Sequence, residues 1–289
     1  MSERAYCSEL NSAEPLLGTA DVVDVWVLLE YRPAWQAKAI KHNELNPKVK
    51  AWLADGIAKL EAQGLKVRPQ MVRQPEIDRP DTRLLLYHQD EVRGGLLREF
   101  GAGTEGYADL TTTGIDELVA DPRQGRVIED PQYFVCTNGQ RDRCCARFGL
   151  LTYAKLREVV GARVWQTTHL GGHRFAPNVL TLPQGVLYGR VVTETVESFV
   201  DAVETGQMLS DYIRGRSCYP KHVQAAEVIA ALADLRLLHV DGDESRATVT
   251  FAGKSSSVSV TVKQASEPLE VVASCGDEKL KLVYPFESA

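Results

Sequence analysis

The chain has 289 residues, of which 33 are basic and 39 acidic, so its formal net charge at pH 7 is -6. An acidic chain is not expected to bind nucleic acid, because such affinity depends on an excess of Lys and Arg. Hydrophobic residues make up 44% and charged residues 25%, which excludes a wholly disordered or fibrous chain.

The first half of the chain predicts the element order β-α-β-β-β-α. Residues 22–31 favour a strand, and Asn46-Pro47 opens a segment with apolar residues at helical spacing that ends at Gly64. Three further strands and a helix are predicted at 65–73, 84–87, 96–100 and 114–121.

The same order of elements returns from residue 131. The run YFVC predicts a strand, residues 146–160 a helix that ends at Gly161, and VWQTT a second strand. A hairpin around Pro183-Gln184-Gly185 and an amphipathic helix from Val196 to Val203 follow. The expected fold class is therefore α/β of the α+β type, with two thioredoxin-like βαβββα halves in which helices pack on a mixed sheet.

These patterns predict three domains. Residues 1–125 form a thioredoxin-like half without metal ligands, residues 126–219 form the half with the candidate site, and residues 220–289 form a small appendage. In the appendage, residues 223–238 predict a helix, and the alternation after Gly242 predicts antiparallel strands. No residue of the appendage suggests chemistry.

The N-terminus and the cysteines both favour a cytoplasmic protein. The start, MSERAYCSEL, has two acidic residues where a signal peptide has a basic region and an apolar run. Six scattered cysteines are few for a disulfide framework. We therefore expect reduced thiols and no membrane partner.

Cysteines and histidines cluster in the second half. Cys136, Cys144 and Cys145 fall within ten residues, and His169 and His173 fall within five. The cysteines lie where a strand ends and its helix begins, and the histidines follow the next parallel strand. Adjacent parallel strands bring such loops to the same edge of a sheet, so we expect a mixed thiolate and imidazole site.

Cysteine and histidine ligands select zinc, copper or iron-sulfur clusters rather than magnesium or calcium. One interpretation is a structural zinc Cys2His2 site in an interaction protein. Another is a thioredoxin-like thiol oxidoreductase, although the chain has no C-x-x-C motif and adjacent cysteines form strained disulfides.

The same segments resemble the sucrase/ferredoxin-like family. The resemblance depends on C-T-N-G-x-R-D-x-C-C, which begins at Cys136, on H-x-G-G-H-R-F-A-P-N-V, which begins at His169, and on the later L-Y-G-R. It is strong over residues 130–216 and weak over the N-terminal half. The family includes thioredoxin-like ferredoxins with a bis-histidine [2Fe-2S] cluster, which implies Cys136, Cys145, His169 and His173 as ligands here.

The resemblance implies an electron carrier with no catalytic residue of its own. Its partners would be a reductase that donates electrons and an unknown acceptor protein. Two neutral imidazoles in place of two thiolates make an oxidised cluster less negative, so we expect a potential above that of all-cysteine ferredoxins. The N–H groups of the ligand histidines can ionise, so we also expect proton-coupled redox.

Three points of detail accompany this assignment. Cys144 offers an alternative C-x7-C spacing, and Cys145 is preferred because the family cysteine lies three residues after the aspartate, here Asp142.

The other cysteines are interpreted as small hydrophobes or partly exposed thiols: Cys7, Cys218 and Cys275. Four arginines make the site's edge basic, as a solvated face or as a docking patch for an acidic redox partner: Arg141, Arg143, Arg147 and Arg174.

Overall fold

The structure, a computed structural model, describes residues 5–90, 94–103, 106–231, 235–253, 256–277 and 279–289. The helices are α1 (Cys7–Leu10), α2 (Pro47–Ala62), α3 (Tyr107–Leu110), α4 (Ile115–Ala120), α5 (Arg143–Arg147), α6 (Gly149–Val160), α7 (Val196–Thr205) and α8 (Lys221–Ala230). Within these ranges, no helix has the length and hydropathy needed to cross a bilayer.

Among the described residues, ten strands form one mixed sheet. They are β1 (Val25–Glu30), β2 (Val67–Arg73), β3 (Thr82–Asp90), β4 (Gly94–Ala102), β5 (Arg126–Ile128), β6 (Gln132–Cys136), β7 (Val164–Thr167), β8 (Val179–Leu182), β9 (Val186–Tyr188) and β10 (Ile213–Arg216). Their order across the sheet is β10-β9-β8-β6-β7-β2-β1-β3-β4-β5.

Strands β1–β5 form one side of this sheet and β6–β10 the other, and the pairing pattern repeats. In the first half, β1 pairs in parallel with β2 and antiparallel with β3, which pairs antiparallel with β4. In the second half, β6 pairs in parallel with β7 and antiparallel with β8, which pairs antiparallel with β9. The predicted α+β class and the repeated element order are confirmed.

The two halves join where β2 pairs antiparallel with β7 through Val72↔Thr167 and Arg73↔Gln166. The Gln74 side chain extends the junction by donating to the carbonyl oxygen of Val164 at 2.7 Å. The residues that follow β7 are those that lead to His169. The N-terminal half therefore helps to position the candidate site.

The sheet carries a hydrophobic core on each face. In β1, Val25, Val27 and Leu29 pack on the face that α2 covers, whereas Trp26 and Leu28 pack on the other. Successive side chains of a strand point to opposite faces, which produces this division. The core that contains Trp26 and Leu28 is continuous across both halves of the sheet.

The appendage consists of α8 and two small antiparallel sheets. Its strands are β11 (Arg236–Gly242), β12 (Arg246–Ala252), β13 (Ser257–Gln264), β14 (Leu269–Val272), β15 (Leu280–Val283) and β16 (Phe286–Ser288). The first sheet has the order β11-β12-β13-β16, and β14 pairs with β15. The antiparallel strands predicted after Gly242 are confirmed.

The predicted helix over 223–238 is too long. The helix ends at Ala230, and the next residue, Ala231, is left-handed with φ 51; residues 232–234 lie outside the described residues. From Arg236 the chain is a strand in which Leu237 pairs with Phe251. Leu237 and Leu238, which suggested a longer helix, lie in β11 instead. The division into three domains stays a prediction.

A substitution at Gly95 tests how closely the first half of the chain packs against the second. A Cβ at this position in β4 would overlap the backbone oxygen of Pro183, in the hairpin between β8 and β9. We expect Gly95→Ala to lower the free energy of unfolding by about 1–3 kcal/mol, because neither backbone can yield easily. Gly101→Ala in the same strand is the control, since its nearest neighbour would be an Asp81 oxygen at 3.8 Å. Equal losses in urea unfolding would contradict this account.

Candidate metal centre

Cys136 and Cys145 lie in contact at one end of the sheet. Cys136 is the last residue of β6, and its Sγ lies 3.3 Å from the Sγ of Cys145 in α5. Both side chains are 1% exposed and belong to the core that spans both halves. Gly149 lets α6 begin against this strand end, because a Cβ there would overlap the Cys136 carbonyl oxygen. The structure therefore brings these two predicted residues together.

The histidines lie in a tight loop after β7, as the two glycines between them predict. Gly171 and Gly172 have φ values of 86 and 66, a left-handed conformation that favours glycine. His173 opens a single 3-10 turn, and its ring centroid lies 4.9 Å from that of His169. His173 is buried, whereas His169 is half-buried.

The backbone of this loop is held from two sides. The buried Arg214 donates to the carbonyl oxygen of Gly171 and to the side-chain oxygen of Asn178, each at 2.9 Å. Arg68 and Gln70 in β2 donate to the carbonyl oxygen of His169 at 3.0 and 3.2 Å. Burial lowers the pKa of Arg214 to about 10, so it remains charged at neutral pH. Sequence spacing gave no sign of these positioning residues.

One ligand atom each from Cys136, Cys145 and His169 lies within 4.8 Å of the others. His173 lies beside this group, with its Nε2 3.7 Å from Oδ2 of Asp142. The four residues that the family resemblance implies are thus neighbours in space. The three-residue group by itself is compact enough to surround a single ion.

The donor atoms have the chemistry that a soft or borderline metal requires. The buried Nδ1 atoms of His169 and His173 have no hydrogen-bond partner, a costly arrangement that ligation to a metal would relieve. Burial lowers the pKa of His173, which favours the neutral ligand form. Hydrogen bonding with Cys145 lowers the pKa of Cys136 well below its ordinary value, and the same contact raises the pKa of Cys145.

Cys144 faces a different set of neighbours from Cys145. Its Sγ lies 3.4 Å from that of Cys7 and 3.2 Å from that of Cys275. Cys7 is buried and Cys275 is half-buried, as expected of a small hydrophobe and a partly exposed thiol, but the sequence did not predict that they contact Cys144. These partners are 137 and 131 residues from Cys144 along the chain, so no sequence spacing could reveal them.

The arginines at the site's edge divide into two kinds. Arg174 forms a two-fold ion pair with the buried Glu14, at 2.7 and 2.9 Å, and is not available for docking. Three arginines are exposed: Arg141, Arg143 and Arg147. Beside His169 lies an open groove of about 380 Å³ that Lys38, Lys41 and Arg141 also line.

Comparison with known proteins adds to this geometry. A stretch of 99 residues is 33% identical to "Altered inheritance of mitochondria protein 32" of Meyerozyma guilliermondii, and it covers 30% of this chain and 35% of that protein. The chain therefore spans about a third of that relative's length. No solved structure matches the chain. The model of the sucrase/ferredoxin-like family matches residues 16–215, more than half of the chain, and the protein therefore belongs to the sucrase/ferredoxin-like family.

Proposed function

We propose that the protein is a one-electron carrier in which Cys136, Cys145, His169 and His173 hold a [2Fe-2S] cluster. The observation that carries this proposal is the juxtaposition of two contacting buried thiols with two histidines whose buried Nδ1 atoms lack partners. When bound, such a cluster supplies reversible one-electron redox chemistry.

The arrangement of the ligands supports different roles for the two cysteines and the two histidines. The thiols are close enough to share one metal ion, and the histidine rings lie side by side at 4.9 Å. Thiolates carry negative charge and neutral imidazoles do not, so this ligand set holds less negative charge than four cysteines. Less negative charge favours uptake of an electron, as in Rieske centres with the same ligand count.

The histidines also supply a route for protons. With Nδ1 as the metal ligand, the Nε2–H of each ring remains to donate or lose a proton. His169 is half-buried and lines the open groove, so its ring has a route for proton exchange with water. The Nε2 of His173 faces the buried carboxylate of Asp142.

A structural zinc site is the second candidate, and one observation favours it. Ligand atoms of Cys136, Cys145 and His169 all lie within 4.8 Å of one another, which also suits a single tetrahedral ion.

All six cysteines are free thiols. Free thiols support the predicted cytoplasmic location, where a reducing environment keeps cysteines available as ligands.

Metal and sulfide content distinguishes the two candidates. Protein purified without oxygen is expected to be reddish-brown, with about two irons and two acid-labile sulfides per chain. Cys136→Ser and Cys145→Ser should abolish the colour, because each removes a ligand. Cys144→Ser and Cys218→Ser are the matched controls and should retain it. A colourless protein that also resists reconstitution with iron and sulfide would contradict the cluster.

Redox titration at several pH values tests the histidine ligands. We expect the midpoint potential to fall as pH rises from neutral to alkaline, by up to about 59 mV per pH unit for one proton per electron. The sign follows because loss of an imidazole proton makes the site more negative and disfavours an added electron. His169→Cys or His173→Cys should lower the potential and weaken its pH dependence. A potential that is flat with pH would exclude proton coupling.

We further propose that acidic redox partners dock at the groove beside His169. Lys38, Lys41 and Arg141 are exposed around this half-buried ligand, in a chain whose formal net charge is -6. A local basic patch on an acidic protein steers negatively charged partners to one place. Electrons would then enter and leave through the histidine side of the centre.

Small redox reagents of opposite charge test this patch without a known partner. Oxidation of the reduced protein by anionic ferricyanide should slow as salt is added, because salt screens the attraction. The triple charge reversal Lys38→Glu, Lys41→Glu and Arg141→Glu should slow this reaction several-fold and speed oxidation by cationic hexaammineruthenium(III). Arg123→Glu, at an exposed position in another loop, is the control. Rates that the triple variant leaves unchanged would contradict the docking proposal.

A further inference from the structure

Three cysteines from distant parts of the chain meet outside the centre described above. Cys7 lies in α1, Cys144 in α5 and Cys275 in the connection between β14 and β15. Their Sγ atoms form a closed triangle, with distances of 3.4 Å between Cys7 and Cys144, 3.2 Å between Cys144 and Cys275, and 3.6 Å between Cys275 and Cys7.

Asp142 completes this cluster with a carboxylate. Its Oδ1 lies 4.0 Å from the Cys7 sulfur, and the side chain has no exposed surface. The carboxylate is oriented by the backbone N–H groups of Cys144 and Cys275, at 2.8 and 2.9 Å, and by the Ser274 hydroxyl at 3.0 Å. Groups that orient a ligand in this way are typical of metal sites. All four ligand atoms lie within 4.8 Å of one another.

The dimensions of the triangle suit one ion. Zinc binds thiolate sulfur at about 2.3 Å, which places the sulfurs of a tetrahedral site roughly 3.8 Å apart. The observed separations of 3.2–3.6 Å would need to expand by roughly 0.2–0.6 Å to reach this value. Three thiolates with one carboxylate favour zinc over magnesium or calcium. Each iron of a [2Fe-2S] cluster takes two protein ligands, so three sulfurs in mutual contact suit a single ion better than such a cluster.

Simple packing or disulfide formation explains the cluster less well. Three thiols are an odd number, so one disulfide would leave a buried thiol over. The Cys144 sulfur also accepts a hydrogen bond from the Ser8 hydroxyl at 3.3 Å, an acceptor role that suits a metal-bound thiolate. Three thiols beside the buried carboxylate of Asp142 bring four potential anions together, which a bound cation would compensate.

We propose that Cys7, Cys144, Cys275 and Asp142 form a structural zinc site, separate from the redox centre. Zinc displaces the protons of the thiols, which pass to solvent, and no group is oxidised or reduced. The site cross-links α1 and the β14–β15 hairpin to α5. The same two segments are already joined by Asn11, which donates to the carbonyl oxygen of Val272 at 2.7 Å and accepts from its N–H at 3.0 Å.

Metal analysis of the full chain tests this site independently of the cluster. Wild-type protein produced with zinc in the medium is expected to hold about one zinc per chain. Cys7→Ser and Cys275→Ser should each lose most of this zinc and retain iron and sulfide. Cys136→Ser should lose iron and sulfide and retain zinc, and Cys218→Ser should keep both metals. If iron is absent but zinc is lost with Cys7→Ser, the redox proposal fails and the zinc site stands.

A measurement on wild-type protein guards against variants that do not fold. Zinc should protect Cys7, Cys144 and Cys275 from alkylation by iodoacetamide, as mapped by mass spectrometry, and a chelator should remove the protection. The proposal is overturned if the three thiols react equally with and without added Zn²⁺. It is also overturned by a disulfide between two of them, or by zinc that is lost with Cys136→Ser and kept with Cys7→Ser.

Discussion

The antiparallel pairing of β2 with β7 joins the two sides of the main sheet. It converts two similar half-sheets into one ten-stranded sheet and places the end of β7 against the first half. Arg68 and Gln70 in β2 can then hold the carbonyl oxygen of His169, while Arg214 holds the loop from the second half. The N-terminal half, which contributes no ligand to the proposed redox centre, thereby fixes the position of one candidate ligand.

Cys144 and Cys145 are adjacent in α5 but contact different cysteines. Neighbouring residues of a helix point roughly 100° apart, so Cys145 meets Cys136 while Cys144 meets Cys7 and Cys275. Asp142 caps this helix by accepting from the N–H of Cys144, and its carboxylate also faces His173. The segment from Asp142 to Cys145 therefore contributes to both proposed sites. Cys145 belongs to the proposed cluster site, and Asp142 and Cys144 belong to the proposed zinc site.

The sequence predicts what depends on local pattern. Strand alternation and helix spacing gave the repeated element order, and Gly171-Gly172 indicated a loop rather than a helix between the histidines. The contacts of Cys7 and Cys275 depend on tertiary folding across more than half of the chain, and neither residue has another cysteine or a histidine near it in sequence. Arg174 looked like a surface charge because its partner, Glu14, is 160 residues away. Residues 236–238 looked helical because an Ala- and Leu-rich composition does not distinguish a helix face from a sheet face.

Two histidines and two cysteines are proposed to bind one cluster. Pulsed electron paramagnetic resonance of the dithionite-reduced protein, with and without ¹⁵N-labelled histidine, can detect these ligands. We expect a paramagnetic signal with couplings to two histidine nitrogens, one of which disappears in His169→Cys. A reduced protein with no such signal, or with a signal that lacks histidine couplings, would contradict it.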